Sequence, residues 1–304
     1  MLPRPTSLAA ALAALLVGCD ATPFRAVDVD LSPTARSEAP PSARENPRTL
    51  RFSVAAIESP RDTYSAYSRL FERLGNRLGM QIEFVQRRTY REVNDLLAAG
   101  KLDAALVCTG GYLDLLSRTP GAVEVLAVPV VGGGSTFESL VIVPAGGPAT
   151  RVQDLEGKRF AFTDELSFTG RAYVERYLQD LGREPSGFFG AITYTHSHDR
   201  SITAVARGLV DGAAVHSHVF DHVFADDPTI GKRIRVIHRS QPFGMMPVVA
   251  STRLRSEERD RLRRVLLDLS RDPEGAAALA VLRFDGFAEA APGLFESAAR
   301  VVRR

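Results

Sequence analysis

The sequence predicts an α/β fold in which two similar lobes face each other across a ligand cleft. Shifted by 108 residues, the chain matches itself without gaps in three separate segments. In both copies, strand patterns alternate with amphipathic helix patterns in the order strand, helix, strand, helix, strand. This alternation is typical of a mostly parallel sheet with helices on both faces. We therefore expect one such sheet in each lobe.

The three matching segments share a pattern rather than many identities. The third pair has the motif Gly-x-[Leu/Val]-Asp-x-Ala in common, which begins at Gly100 in the first copy and at Gly208 in the second. Three segments in one register favour a repeat over chance similarity. The aligned pairs are 51–56 with 159–164, 81–90 with 189–198, and 100–108 with 208–216.

Each copy is predicted to form three strands and two helices. In the first copy, the strands are expected near 50–57, 81–87 and 103–108, and the helices near 62–78 and 90–99. In the second copy, the strands are expected near 159–164, 191–195 and 212–216, and the helices near 170–181 and 199–208.

The chain is predicted to pass between the lobes twice. An apolar segment at 138–147 leaves the first copy as a strand, and another at 242–251 returns. We therefore assign residues 50–142 and 243–304 to lobe 1 and residues 143–242 to lobe 2. The C-terminal helical patterns are expected to pack on lobe 1.

The N-terminus has the features of a bacterial export signal. Arg4 precedes an apolar run at 8–17, which is too short to span a membrane and fits the core of a secretory signal. The run ends in Leu-Val-Gly-Cys, which resembles the lipobox of bacterial lipoproteins. We predict that residues 1–18 are a lipoprotein signal peptide and that Cys19 is lipidated.

Residues 19–49 are predicted to form a flexible tether. They are rich in Pro, Ser, Ala and charge and poor in large apolar side chains. Such a segment cannot bury enough surface to order itself. The expected location is therefore the periplasm, with the protein anchored to the membrane through the lipid on Cys19.

Composition and motifs exclude several classes of function. The formal net charge is only +2, so neither nucleic acid nor an anionic membrane surface is indicated as a partner. The motifs of serine hydrolases, P-loop NTPases and zinc proteases are absent from the sequence. We expect a binding protein rather than an enzyme, monomeric and without a cofactor.

The ligand-binding residues are predicted at the strand ends. In open parallel sheets, ligands bind beyond the carboxyl ends of the strands. The 108-residue offset makes Tyr90 equivalent to His198 and Cys108 equivalent to His216. The candidates at these ends are Tyr90, Cys108 and Tyr112 in the first copy and Ser167, Phe168, Thr169, Gly170, His198 and His216 in the second.

The start of the helix at 170–181 is unusual in having two hydroxyl residues and a glycine. A helix N-terminus presents free N–H groups and the positive end of the dipole, so it attracts anions. Ser167 and Thr169 add hydroxyl donors, and Gly170 permits close approach. In the alternative interpretation, Thr169 only caps the helix and Ser167 is a turn residue.

Four segments together resemble the periplasmic phosphonate/phosphite-binding proteins of ABC transporters. They are FAFTDELSFTG at 160–170, THSHDRSITAVARGLVDGAAV at 195–215, CTGGY at 108–112, and DPEG with LRFDGF between 272 and 287. The resemblance covers about 51–287. It implies a two-lobed, type II-like periplasmic binding protein that captures a small oxyanion of the phosphonate, phosphite or phosphate class and delivers it to an ABC permease.

The resemblance also implies roles for single residues. The family motif reads Ser-Thr-Ser-Gly or close to it, and its hydroxyls and N–H groups hold the phosphonyl oxygens. Here Phe168 replaces the middle residue and retains only its backbone N–H. The family's ligand-contacting tyrosines and histidine fall on Tyr90, Tyr112 and His198.

The largest departure from the family pattern is His216, where the family commonly has an acidic residue. An acidic side chain accepts a hydrogen bond from a protonated oxygen or an amino group on the ligand. A protonated imidazole would instead favour a fully ionised anion. We therefore expect a lower pH to tighten binding of such an anion.

Two other ligands remain open. Some members of the superfamily bind arsenite through a cleft cysteine and partner a membrane sensor kinase, a role that Cys108 could fill unless it is only a packing residue. Five of the six histidines lie in 196–222, where His196 and His198 could pair on one strand face and hold zinc. We expect surface histidines rather than a metal site.

Overall fold

The computed structural model describes residues 48–303. The predicted signal peptide, Cys19 and almost all of the predicted tether lie outside these residues. No helix within 48–303 is both long enough and apolar enough to cross a membrane.

The described residues form strands and helices in alternation through most of their length. The strands are β1 (Thr49–Val54), β2 (Gln81–Phe84), β3 (Ala104–Leu106), β4 (Val123–Val130), β5 (Thr136–Phe137), β6 (Ser139–Pro144), β7 (Arg159–Phe162), β8 (Ala191–Tyr194), β9 (Gly212–His216), β10 (Ile234–Arg239), β11 (Phe243–Gly244), β12 (Val248–Ser251) and β13 (Gly286–Ala288). The α-helices are α1 (Pro60–Leu78), α2 (Tyr90–Ala98), α3 (Thr109–Arg118), α4 (Tyr173–Asp180), α5 (Pro185–Phe188), α6 (His198–Ala206), α7 (Ser217–Asp226), α8 (Pro228–Gly231), α9 (Ser256–Leu267), α10 (Pro273–Val281) and α11 (Glu296–Val302).

The strands form two large sheets of the same design. The first has the order β13-β4-β12-β3-β1-β2, and the second has the order β10-β6-β9-β7-β8. In each sheet three strands of one repeat are parallel neighbours, and a returning strand, β12 or β6, lies antiparallel beside the third of them. Both sheets are therefore mixed, with the predicted parallel trio at one side.

The predicted repeat is confirmed by the pairing register. Phe52 of β1 pairs with Ala104 of β3, and Phe160 of β7 pairs with Gly212 of β9. Both partners are displaced by 108 residues between the copies. The two sheets thus share one strand register as well as one strand order.

An arginine clamp occurs at the same place in both repeats. The backbone N–H and Nε of Arg51 donate to Oδ2 of Asp103 at 2.7 and 3.2 Å. The same groups of Arg159 donate to Oδ2 of Asp211 at 2.9 and 3.1 Å. The aspartate of the Gly-x-x-Asp motif therefore ties the first strand of each repeat to the turn before the third.

Two short crossing segments connect the sheets. β5 and β11 pair antiparallel in a separate two-stranded sheet. The next strand, β6, belongs wholly to the second sheet, whereas the sequence placed its first four residues in lobe 1. We propose to divide the lobes by sheet membership, so that the change from lobe 1 to lobe 2 falls before Ser139.

The C-terminal helices pack mainly on lobe 1. α9 and α10 contact α1, and α9 also contacts β4. The last helix, α11, differs because it contacts α3 of lobe 1 and α4 of lobe 2. The chain end therefore contacts both lobes, which the sequence pattern did not predict.

We expect Asp103→Ala to lower the free energy of unfolding by about 1–3 kcal/mol, because the Arg51 N–H and guanidinium lose their partner. Asp95→Ala is the matched control, because Asp95 is 57 % exposed and pairs only with Arg118. Chemical denaturation of both variants measures the difference, and equal midpoints would contradict the clamp's structural role.

Candidate functional site

The equivalent residues of the two repeats begin equivalent helices. Tyr90 is the first residue of α2 and His198 is the first residue of α6. Cys108 precedes α3 and His216 precedes α7, each in the N-cap position. The predicted strand-end residues therefore lie at helix starts, at the edge where each sheet faces the other lobe.

Two hydrogen bonds join the lobes at this edge. The backbone N–H of Tyr90 donates to Oδ2 of Asp164 in lobe 2 at 3.2 Å. The backbone N–H of His198 donates to the carbonyl oxygen of Ile57 in lobe 1 at 2.9 Å. Each helix start is thus held by the segment that follows the first strand of the other repeat.

Four predicted site residues carry buried polar atoms that have no hydrogen-bond partner in the described part of the chain. They are the phenol oxygen of Tyr90, Oγ1 of Thr169, Nε2 of His198 and Nε2 of His216. All four residues are 2 % exposed or less. Buried polar groups are normally paired, so a cluster of unpaired ones calls for a ligand or a function.

These four residues are linked through their neighbours into one group, here called the cleft cluster. Oγ1 of Thr163 lies 3.0 Å from Nδ1 of His198, and the His198 and His216 ring centres are 5.8 Å apart. Ser167 is a hydrogen-bonding neighbour of the Tyr90 phenol, but the two hydroxyls do not reach full hydrogen-bond geometry. Lobe 1 contributes Tyr90, and lobe 2 contributes the other members.

The turn at 168–172 is a single π-helical turn, and Ser167 caps it. The N–H of Gly170 donates to Oγ of Ser167 at 3.0 Å. The alternative interpretation made Thr169 the cap, but in the wider turn Ser167 is the cap and the Thr169 hydroxyl has no partner among residues 48–303. A Cβ on Gly170 would lie 2.4 Å from Oγ1 of Thr163, so only glycine fits there.

The side chain of Phe168 packs among the crossing strands β5 and β11, whereas its backbone amide faces the cleft. The ring is fully buried and packs edge-on against Phe243 and Phe137 of the two crossing strands. The amide is a hydrogen-bonding neighbour of the Cys108 sulfur. The Gly170 amide therefore has a partner within the protein, and the Phe168 amide faces the Cys108 sulfur, unlike the free donors that the sequence predicted.

Cys108 is a buried thiol at the boundary between the lobes. It is 4 % exposed, and burial raises the pKa of the thiol. The amides of Gly110 and Gly111 are its other neighbours. A thiol in this state remains protonated and is a weak nucleophile and metal ligand.

Burial keeps both cluster histidines neutral. It lowers the pKa of His198 to about 3, and it lowers the pKa of His216 well below the usual value, with smaller contributions from His198 and His218. Because burial opposes protonation of both rings, the structure argues against the prediction that protonated His216 would tighten binding at lower pH.

Tyr112 lies outside the cleft cluster. Its ring packs at 4.9 Å from the ring of Phe295, and it is partly exposed. The described contacts do not link its phenol to Tyr90 or His198. The spacing CTGGY placed it one helical turn beyond Cys108, where it faces the C-terminal segment instead.

His196 does not pair with His198 on a strand. β8 ends at Tyr194, and His196 follows it with a left-handed φ of 60°. Its ligating atoms lie within 4.8 Å of those of Asp164 and Glu165, the group best placed for a metal among residues 48–303. The Asp164 oxygens already accept two amide hydrogens, and Glu165 is exposed.

The sequence did not single out Thr163 and Asp164, which the structure places at the centre of the site. Both are buried at the end of β7, where Thr163 contacts His198 and Asp164 contacts Tyr90. Burial raises the pKa of Asp164, while hydrogen bonds from Leu166 and Tyr90 oppose the rise. Because both residues follow strand β7, their position at a strand end could have identified them as site residues.

One face of α7 joins the lobes beside the cleft. Nε2 of His218 lies 3.0 Å from the carbonyl oxygen of Leu282, and Nδ1 of His222 lies 3.0 Å from a Glu58 oxygen. One turn further, Asp226 pairs with Arg283 at 3.0 Å. His218 and His222 therefore both contact lobe 1.

Comparison with known proteins gives one family. The family model described as "ABC transporter, phosphonate, periplasmic substrate-binding protein" matches residues 52–293. The phosphate-import protein PhnD of Mycolicibacterium smegmatis is 24 % identical over 228 residues, which cover 71 % of this chain and 70 % of that protein.

Two solved structures have the same fold. A binding protein component of an ABC phosphonate transporter from Pseudomonas aeruginosa superposes with a TM-score of 0.79 and 19 % identity, covering 84 % of this chain and 85 % of that one. PhnD1 from Prochlorococcus marinus in complex with methylphosphonate gives a TM-score of 0.76 at 18 % identity, covering 85 % and 98 %.

We expect Gly110→Ala to hold the lobes apart. A Cβ there would lie 2.2 Å from the Leu166 carbonyl oxygen and 2.9 Å from the Phe168 nitrogen, both backbone atoms of lobe 2. Gly111→Ala is the control, since its Cβ would meet only Asn94 at 3.5 Å. Small-angle scattering should give a larger radius for the first variant alone, with about 1–3 kcal/mol lower stability. Identical radii would argue against a close lobe contact at Gly110.

Proposed function

We propose that this chain, which belongs to the family of periplasmic phosphonate substrate-binding proteins of ABC transporters, captures a small phosphorus oxyanion in the cleft cluster. The residues that would hold it are Tyr90 from lobe 1 and Thr169, His198 and His216 from lobe 2. The reaction is binding and release, without a chemical step.

The observation that carries the proposal is the set of four buried, unpaired polar atoms. A buried donor without a partner costs about 1–3 kcal/mol, so four of them in one place are expensive for the ligand-free protein. A ligand with several acceptor oxygens would satisfy them together. All four are among the nine residues that the sequence nominated for ligand binding.

The donor types favour an oxyanion over an apolar or cationic ligand. A phenol, a hydroxyl and two imidazoles all offer hydrogen-bond donors, and the cluster itself contains no carboxylate. Neutral donors can stabilise a buried anion without a counter-ion when several converge on it. The names of similar proteins, a phosphate-import protein and a methylphosphonate complex, point to the same class.

The proposed cellular role follows from the family, and we add a lipid anchor to it. We propose that the closed lobes present the ligand to an ABC permease and that lipid on Cys19 holds the protein at the membrane. Cys19 lies outside the described residues, and its sequence context, Leu-Val-Gly-Cys, is the support for this element.

We expect Tyr90→Phe and Thr169→Val each to weaken binding of the oxyanion by about 1–3 kcal/mol, because each removes one donor from a desolvated ligand. Without ligand, the same variants should be as stable as wild type or more stable, since an unpaired buried hydroxyl is lost. Calorimetric titration with phosphate, phosphite and methylphosphonate, together with thermal unfolding, measures both effects.

Tyr64→Phe is the control for this pair, because Tyr64 is 59 % exposed on α1 and lies against Phe84. It should match wild type in both measurements. If Tyr90→Phe and Thr169→Val bound the oxyanion as tightly as wild type does, the cleft cluster would not be the ligand site. Ser167→Ala is less informative, because it also removes the cap of the π turn.

We expect Cys108→Ser to change oxyanion affinity little, because the protonated, buried thiol packs against amides rather than the ligand. If the ligand were arsenite held through sulfur, the same substitution would abolish binding, since a hydroxyl cannot replace the soft sulfur ligand. Titration of wild type and Cys108→Ser with phosphite and arsenite decides between them. Arsenite as the only ligand, lost in the variant, would contradict the proposed function.

A further inference from the structure

The two cluster imidazoles are each held in one tautomer by a backbone donor. Nδ1 of His198 lies 3.2 Å from the backbone N–H of His216, and Nδ1 of His216 lies 3.1 Å from the backbone N–H of His218. A backbone N–H can only donate, so both Nδ1 atoms must accept, and the Thr163 hydroxyl 3.0 Å from Nδ1 of His198 can donate to it as well. In the neutral rings the hydrogen is therefore on Nε2.

The Nε2 atoms are the ones that remain unpaired. Both are buried in the cleft cluster without a partner. Because the rings are neutral with the hydrogen on Nε2, each presents one N–H donor and no acceptor to the cleft. The hydroxyls of Tyr90 and Thr169 can rotate between donating and accepting, but the two imidazoles cannot.

The ionisable groups around these rings do not supply the missing acceptor. Those facing the cluster are Cys108, Asp164, Asp199 and His218. Asp164 is occupied by the amides of Tyr90 and Leu166. The Asp199 carboxyl lines a cavity with Glu58 and Asp62 and has Ser197 as its hydrogen-bonding neighbour; its Oδ1 is buried without a partner among residues 48–303, but Asp199 does not influence the pKa of either imidazole.

We infer that this site, if it is the oxyanion site proposed above, selects a fully ionised oxyanion and disfavours any ligand that directs a protonated oxygen or an ammonium group at His198 and His216. An imidazole N–H that faces a ligand O–H in a buried site leaves both donors without an acceptor. A buried ammonium group without a carboxylate partner costs still more free energy. The substrate class is therefore a dianionic phosphite or simple alkylphosphonate, and aminoalkylphosphonates are poor ligands.

The inference predicts a pH dependence that comes from the ligand and not from the protein. The second ionisation of methylphosphonate lies near neutral pH, whereas both rings stay neutral there. Below that ionisation, the dissociation constant should rise by up to about tenfold per pH unit, since only the Tyr90 and Thr169 hydroxyls can accept from a protonated oxygen, and above it the constant should level off. A site that also took the monoanion would show little change.

The first test is calorimetric titration of wild type with methylphosphonate across this pH range and with 2-aminoethylphosphonate at its upper end. We expect this slope and at least about tenfold weaker binding of the amino compound. His216→Glu supplies an acceptor. It should make the affinity for methylphosphonate less dependent on pH and narrow the affinity difference between methylphosphonate and 2-aminoethylphosphonate. His238→Glu is the matched control, because His238 lies on β10 and pairs with Tyr173, away from the cluster.

The second test needs no variant, because His216→Glu could destabilise the fold. Nitrogen-15 NMR of histidine-labelled wild type reports which ring nitrogen carries hydrogen. We expect the Nε2–H tautomer for His198 and His216 throughout about pH 5–8. The Nδ1–H tautomer, a charged ring, or binding that is flat with pH or tighter at low pH would overturn the inference and leave the proposed function standing. If wild type bound neither phosphonate nor phosphite at any pH, the proposed function itself would fail.

Discussion

Two reciprocal hydrogen bonds decide how the repeats meet. The amide of Tyr90 reaches Asp164 in lobe 2, and the amide of its repeat equivalent, His198, reaches Ile57 in lobe 1. Both acceptors follow the first strand of their own repeat. Because the same helix start reaches across in both directions, the carboxyl edges of the two sheets face each other. The cleft cluster lies between these edges and is buried for that reason.

The contacts of α7 extend this interface between the lobes and connect it to the ligand-facing residues. His216 caps α7, and the contacts of His218, His222 and Asp226 with lobe 1 follow along the helix at intervals of one turn. Glu58 raises the pKa of His222 through their hydrogen bond, while burial opposes the rise. One helix thus carries a cleft donor at its start and interlobe contacts along its length, which gives lobe closure a direct mechanical link to the site.

The sequence predicted much of this arrangement because repeats and strand ends depend on local patterns. The strand register, the Arg51 and Arg159 positions and the strand-end residues all follow from the 108-residue offset and the alternation of strands and helices. The tautomers of His198 and His216 could not be predicted, because they depend on which backbone N–H approaches each ring. Tyr112 and the Ser167 cap differed for a similar reason, since helix orientation and a π turn are set by packing.

The two departures from the family pattern are physically related. Phe137 stacks on the His216 ring at 4.2 Å and 13°, and it meets Phe168 edge-on at 6.3 Å. With phenylalanine at 168 the region becomes an aromatic cluster, in which a charged carboxylate would be costly to desolvate. A neutral imidazole stacks on Phe137 and still directs an N–H into the cleft. Phe137, Phe168 and His216 thus belong to one aromatic group, in which a neutral ring that donates from Nε2 suits position 216 better than a carboxylate.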